Sequence, residues 1–216
     1  MIEGLAGLNA SGRGCYDATR AAALSGVPKS TVYDWARKGV VVPSVSPSKE
    51  KLWSYQDLLA LRAVHWLRIH KEEDHIPASP MAEVRRVLSE IVQSGVDPWA
   101  DSGPRVRVDR GGRIFVARES DFQTDAYGQG AWDLGDQVGL MERIGESPGL
   151  IRPSEFVRIN PSRLSGEPFL VGTRIGTLAL AGLAEDGYSA RQIAQLYDMP
   201  IERVTDALDY EMALAA

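Results

Sequence analysis

The sequence predicts a mainly α protein with small β elements: an N-terminal winged helix-turn-helix and a C-terminal three-helix, helix-turn-helix-like domain. Three observations carry this. Residues 21–39 read as helix, tight turn, helix, with Gly26 at the turn. Apolar residues recur at three- and four-residue spacing over 80–94 and again from 177 to 212, the period of amphipathic helices. Strand-like runs are few and short, the clearest being Arg105–Val108 with Ile114–Val116.

Taken in order, residues 1–14 are rich in Gly, Ala and Ser and are expected to be loose. Asp17 or Thr19 can cap the first helix, whose inner face is Ala22, Ala23 and Leu24. Gly26 gives the turn its backbone freedom, and Val27 is placed to fill the angle between the helices. Pro28 suits the entry to the second helix, with Ser30 as its cap and Gly39 as its stop. Val32 and Trp35, three apart, share one face, leaving Lys29, Thr31, Tyr33, Asp34, Arg37 and Lys38 for the others. An apolar inside and a polar, basic outside is what a helix seated in the major groove requires. Val40–Pro43 is then read as the first strand of a wing, residues 44–51 as its polar tip with Lys49 and Lys51, and Leu52-Trp53 as the return. Ser54 caps a helix running to about Ile69.

Ser79-Pro80 opens an amphipathic helix to Ser94, stopped by Gly95. Arg105–Val108 and Ile114–Val116 pair as a hairpin around Gly111-Gly112. Residues 15–119 are thus read as the winged-helix domain with an added helix and hairpin, 120–149 as an extended linker, and 150–216 as the C-terminal domain. In that last domain Phe156–Ile159 and Gly166–Ile175 are short strands and turns. Thr177 caps one helix and Ser189 a second, and Ile201, Val204, Ala207, Leu208 and Met212 line a third.

Composition is that of an ordinary water-soluble protein, without an apolar run long enough to span a bilayer, and the cytoplasm is the expected location. Cys15 is the single cysteine, which excludes an internal disulfide. The net charge of −5 is unevenly spread. Residues 16–71 hold nine Lys/Arg against four acids, 72–149 eight against fifteen, and 150–216 six against nine. Cationic charge concentrates on the winged helix, and it is the local face that attracts phosphates. The last helix, by contrast, carries Glu202, Asp206, Asp209 and Glu211 with Arg203 alone opposing them, so the C-terminal domain is read as a protein-contact unit. His65, His70 and His75 are five apart, which turns each about 140° from the last on a helix and prevents a shared metal. No catalytic constellation, metal-ligand set or cofactor motif is read from the chain.

Residues 16–70 resemble the N-terminal domain of the MerR superfamily, and more closely its excisionase-like branch. The likeness lies in Ser30-Thr31-Val32-Tyr33-Asp34-Trp35, in Arg37, Gly39 and Pro43, and in Trp53-Ser54-Tyr55-Gln56-Asp57-Leu58. Tyr33, Asp34, Trp35 and Ala36 stand where MerR regulators commonly have an Arg-Tyr-Tyr-Glu-like stretch. Residues 158–214 resemble a short bacterial family of VapB-like antitoxins encoded beside PIN-type ribonuclease toxins. That likeness rests on Gly166–Ile175, Gly187-Tyr188-Ser189 and Gln192-Ile193-Ala194, with Gly176 where the family usually has Pro.

The two resemblances imply an antitoxin of a type II toxin-antitoxin system. It is expected to be a homodimer that binds double-stranded operator DNA and neutralises a cognate PIN-type toxin. The alternative is a stand-alone MerR-like regulator with a C-terminal dimerisation or ligand-sensing domain. The candidate DNA contacts are Lys29, Ser30, Thr31, Tyr33, Arg37, Lys38, Lys49 and Lys51. For the toxin they are Arg158, Arg163, Thr173 and Arg174, with Arg174 foremost unless it pairs internally with Glu167 or Glu185.

Overall fold

A computed structural model describes residues 14–72, 75–94, 105–117, 123–125, 130–131, 138–139 and 150–215. The described residues are mainly helical, with small β elements. They hold helices α1 (Ala18–Ser25), α2 (Lys29–Arg37), α3 (Tyr55–Arg68), α4 (Met81–Ser94), α5 (Thr177–Glu185), α6 (Ala190–Leu196) and α7 (Ile201–Ala215). The strands are β1 (Arg105–Val108), β2 (Ile114–Ala117), β3 (Gln123–Asp125), β4 (Gly130–Ala131), β5 (Val138–Gly139), β6 (Val157–Arg158) and β7 (Phe169–Leu170). The chain forms two compact units. One falls within Ala60–Glu146, and the other joins Ala10–Leu59 to Ser147–Ala216.

In the second unit, Asp17 caps α1 by accepting from the Arg20 amide at 2.7 Å. Gly26 ends α1 in the left-handed region, at φ 70°, where a side chain would strain the backbone. Val27, Val32 and Trp35 are buried, so α2 packs inward on the face that its three-residue spacing predicts. Ser30 does not cap α2. The helix starts at Lys29, Pro28 takes the cap position without a side-chain bond, and Ser30 lies exposed within the first turn. The expected wing strands are also absent. Val40 and Val41 are buried in a bend, and the wing is closed by one antiparallel bridge, Ser46 to Leu52. Apolar side chains drive the segment inward here, and a polar, Pro-interrupted tip cannot extend a ladder. Trp53 instead bridges back to Tyr16. Ser54 caps α3 as expected, with reciprocal bonds between Ser54 and Asp57 at 3.2 and 2.7 Å.

The C-terminal part of this unit is built on α5, α6 and α7 around Val157, Leu170, Leu180, Ile193, Val204 and Ala207. Ser189 and Gln192 form a capping box on α6. Thr177 is not the cap of α5: Gly176 is, and Thr177 is buried at the first helical position. β6 pairs antiparallel with β7.

In the other unit, the predicted hairpin forms with β1 and β2 in register, Val106 opposite Val116. Asp109 holds its turn by accepting from the amides of Gly111 and Arg113 at 2.8 and 2.9 Å. The hairpin is the centre of a five-stranded sheet, β4-β3-β2-β1-β5, so the stretch read as an extended linker supplies three short strands. α4 packs on β2, and the buried Glu83 carboxylate accepts from the Ile114 amide at 2.8 Å. The expected stop at Gly95 lies outside the described residues.

Candidate functional site

The outer face of α2 presents Lys29, Ser30, Tyr33, Arg37 and Lys38, all exposed, with Thr31 half-buried. Between α2 and the wing lies an open cavity of about 430 Å³, lined among others by Ser30, Tyr33, Asp34, Arg37, Pro47 and Lys51. Tyr33 is held over this surface by the edge of buried Trp53, ring centroids 6.2 Å apart at 78°. Lys29 donates to the Thr19 hydroxyl at 2.6 Å. Lys51 folds back on the wing carbonyls of Pro47 and Ser48 at 3.3 and 3.2 Å, so it shapes the tip as well as charging it. Lys49 is exposed at the same tip. On α2 one acid interrupts the cationic face: Asp34 takes Lys38 at 2.7 Å and Arg37 at 2.6 Å, and these bonds hold its carboxyl below the usual aspartate range.

The second candidate site is the turn joining β7 to α5. The Leu170 amide donates to the Ile175 carbonyl at 3.0 Å, and Phe169 bridges to Gly176. Thr173 builds this turn from inside. Its hydroxyl donates to the Leu170 carbonyl at 2.8 Å and accepts from the Ile175 amide at 3.1 Å. Arg163 stacks over the Phe169 ring and donates to the Thr173 carbonyl at 3.2 Å. Arg158 donates to the carbonyls of Ser154, Glu155 and Val157. Of the four residues expected to meet a toxin, three therefore tie down their own backbone. Arg174 stands exposed at the tip of the turn, where Arg163, exposed as well, is tied to the Thr173 carbonyl. Glu167, one of its two anticipated internal partners, is engaged by Arg20 at 3.1 Å.

Sequence reasoning missed that Arg20 interaction. Arg20, on α1, makes a two-pronged pair with Glu211 on α7 at 2.7 and 2.8 Å and also reaches Glu167. Thr177 donates its hydroxyl to the same Glu211 carboxylate. Burial would depress the Arg20 guanidinium, but the bond to Glu211 and the charge of Glu167 outweigh it and hold its pKa above the ordinary arginine value. Alongside, the buried Tyr16 hydroxyl donates to the Gly166 carbonyl at 2.9 Å and Tyr55 donates to Leu150 at 2.8 Å. The first helix and the C-terminal helices are thus joined by polar contacts that bridge up to 191 residues of sequence. Two of the four carboxylates that the last helix carries turn inward. Glu211 pairs with Arg20, and Asp206 accepts from the Phe156 amide and the Ser154 hydroxyl at 2.9 and 2.6 Å. Glu202 and Asp209 remain exposed.

Among the described residues no group of three or more His, Cys, Asp or Glu is placed to hold a metal ion. Nor is any helix among them long and apolar enough to cross a membrane.

The geometry defines a helix-turn-helix module joined to a small C-terminal helical domain. Residues 157–210 of that domain match a family described as a protein of unknown function, DUF433, so the chain carries a DUF433 domain at its C-terminus. Over 52 residues the chain is 36% identical to the uncharacterized protein Rv2308 of Mycobacterium tuberculosis, a stretch covering 24% of this chain and 22% of that protein. The chain therefore spans about a fifth of the length of that curated relative. In fold it resembles the crystal structure of Rv2018 from Mycobacterium tuberculosis, with a TM-score of 0.51 and 14% identity over 90% of this chain and 96% of that one.

Proposed function

We propose that the protein is an antitoxin that binds double-stranded operator DNA through α2 and the wing, and a PIN-type ribonuclease toxin through the turn that carries Arg174. The observation that carries this reading is the division of labour among the arginines of the DUF433 domain. Arg158 and Arg163 are spent on backbone carbonyls, Arg163 although it is exposed, whereas Arg174 stands exposed at the tip of a hydrogen-bonded turn. A planar guanidinium at such a tip can pair two-pronged with the carboxylate cluster that holds the metal in a nuclease of this type, replacing the cation's charge. DNA binding draws its support from α2, which buries Val32 and Trp35 and turns Lys29, Arg37 and Lys38 outward.

The test is to co-express the chain with a PIN-type ribonuclease, taken from a neighbouring gene where one encodes it, and to purify the pair. Arg174→Ala is expected to leave the melting temperature within about 2 °C of the parent while releasing ribonuclease activity in the mixture. A large fall in melting temperature with the nuclease still inhibited makes Arg174 structural and removes the mechanism. In parallel, Arg37→Ala and Lys51→Ala are expected to weaken binding to the protein's own promoter fragment, Lys51→Ala with little change in sequence preference. Binding equal to the parent by both variants, at several salt concentrations, removes the winged helix as the reader. Promoter binding in a chain that captures no nuclease favours a stand-alone regulator.

A further inference from the structure

Asp34 is out of place on a surface built only to attract phosphate. It is the one acid among the nine residues of α2, and it lines the cavity beside Arg37, Tyr33 and Lys51. Its carboxylate cancels part of the charge of two cations the DNA reading relies on, Arg37 at 2.6 Å and Lys38 at 2.7 Å. Towards a phosphate that arrangement is a loss, since like charges meet at the wall of the cavity. Towards base edges it is a gain. The major groove offers hydrogen-bond donors only as exocyclic amino groups, N4 of cytosine and N6 of adenine, and a carboxylate accepts from cytosine N4. Arg37 lies three residues on, over the same helical face, and a guanidinium fixed in orientation matches the O6 and N7 acceptors of guanine. Asp34 biases that orientation through its Oδ1, and the carboxylate keeps free lone pairs after accepting one bond from each cation.

We infer that Asp34 is a specificity-determining residue of α2, accepting from cytosine N4 in the major groove while it positions Arg37 on a neighbouring guanine. The inference rests on the proposal that α2 reads DNA and goes beyond it by naming the bases.

The experiment is selection from a pool of randomised duplexes by the full chain and by Asp34→Ala, Asp34→Asn, Asp34→Glu and Arg37→Ala variants. Thermal melts establish that each variant is folded. The parent is expected to enrich a site with cytosine at one position of each half-site, by about tenfold over other bases, next to a guanine. Asp34→Ala should bind random duplex more tightly, lose the cytosine preference and weaken the preference for the neighbouring guanine, since Arg37 loses the carboxylate that positions it. Asp34→Asn should move that position towards adenine, whose N6 and N7 an amide matches, and Asp34→Glu should retain cytosine. Arg37→Ala should lose the guanine. If Asp34→Ala and Asp34→Asn enrich the parent's site unchanged, Asp34 reads no base and the inference fails while DNA reading stands. If the parent enriches no sequence and Arg37→Ala leaves duplex binding as it was, the DNA reading itself fails and takes the inference with it.

Discussion

Arg20 carries more of the fold than any candidate contact residue on α2. Its guanidinium meets Glu211, only 8% exposed, through two hydrogen bonds, and reaches Glu167 with one of the same nitrogens. Breaking such a pair from one side leaves a buried carboxylate without its cation, at a cost of about 3–5 kcal/mol. Arg20→Ala is therefore expected to destabilise the unit by about that amount in urea unfolding. Arg20→Met with Glu211→Met, which leaves no orphan charge at position 211, should cost less than Arg20→Ala alone. Glu167 adds a pH dependence. Burial, aided by the Glu211 charge, holds its carboxyl above the ordinary glutamate value, although Arg20 pulls the other way. Its protonated form is the one the fold favours, so its contribution is full below about pH 4.3 and is lost as pH rises through the raised value. Unfolding curves at a series of pH values should show Glu167→Gln gaining on the parent as pH rises above about 4.3. Gly166 supplies a steric check on the same seam. Its φ is 85°, and a Cβ there would lie 2.0 Å from the Tyr16 hydroxyl oxygen. Gly166→Ala should cost about 2 kcal/mol or more, from backbone strain and the displaced Tyr16 bond together. Thermal unfolding measures it, and a variant as stable as the parent would mean that the contact is not close.

Helix starts were legible wherever the signal is local. Asp17, Ser54 and Ser189 each bond an amide three residues on, a pairing that sequence spacing exposes directly. The same logic misplaced Ser30 and Thr177, because a hydroxyl at the right offset is also suited to the first turn itself, and here Pro28 and Gly176 hold the cap positions. Val40 and Val41 look like strand residues in isolation, yet it is their burial, not a ladder, that fixes them. Strands of two or three residues such as β3, β4 and β5 leave too few alternations to detect. Turn residues did better: Asp109 and Gly112 mark the β1–β2 hairpin, with Gly112 at φ 78°. Nothing local in the sequence announces that α4 steadies this hairpin through the Glu83 carboxylate on the Ile114 amide. Glu83→Ala would leave that buried amide without its carboxylate, a loss of about 1–3 kcal/mol. Hydrogen exchange is the direct readout. The Ile114 amide should exchange faster in Glu83→Ala than in the parent, and an unchanged rate would show that the strand pairing alone protects it.

At the scale of the molecule, the sequence separated the basic helix-turn-helix from the DUF433 domain by charge and pattern. It could not show that α1 and α7 meet, since an arginine and a glutamate so far apart in the chain carry no mutual signal. The consequence is that DNA on α2 and a partner on the Arg174 turn would occupy one compact unit. A single such unit offers few base contacts, and two related by a two-fold axis can occupy both halves of a palindromic operator, which raises affinity without new chemistry. We predict that this association uses the C-terminal helices. Leu178 on α5, Leu196 on α6 and Met212 on α7 are 49%, 61% and 68% exposed, large apolar side chains on helices whose opposite faces are buried. Light scattering at micromolar concentration is expected to give twice the chain mass of 23.6 kDa. Met212→Lys, which places a charge on the exposed side of α7 without touching the core, should shift the protein towards monomer. Its melting temperature should then fall with dilution less than the parent's, because less of its stability comes from association. Operator affinity should drop with the loss of the second half-site contact, while binding to a single half-site stays as in the parent. A monomer mass for the parent across the micromolar range would remove the dimer. A Met212→Lys protein that remains fully dimeric would move the seam away from the C-terminal helices.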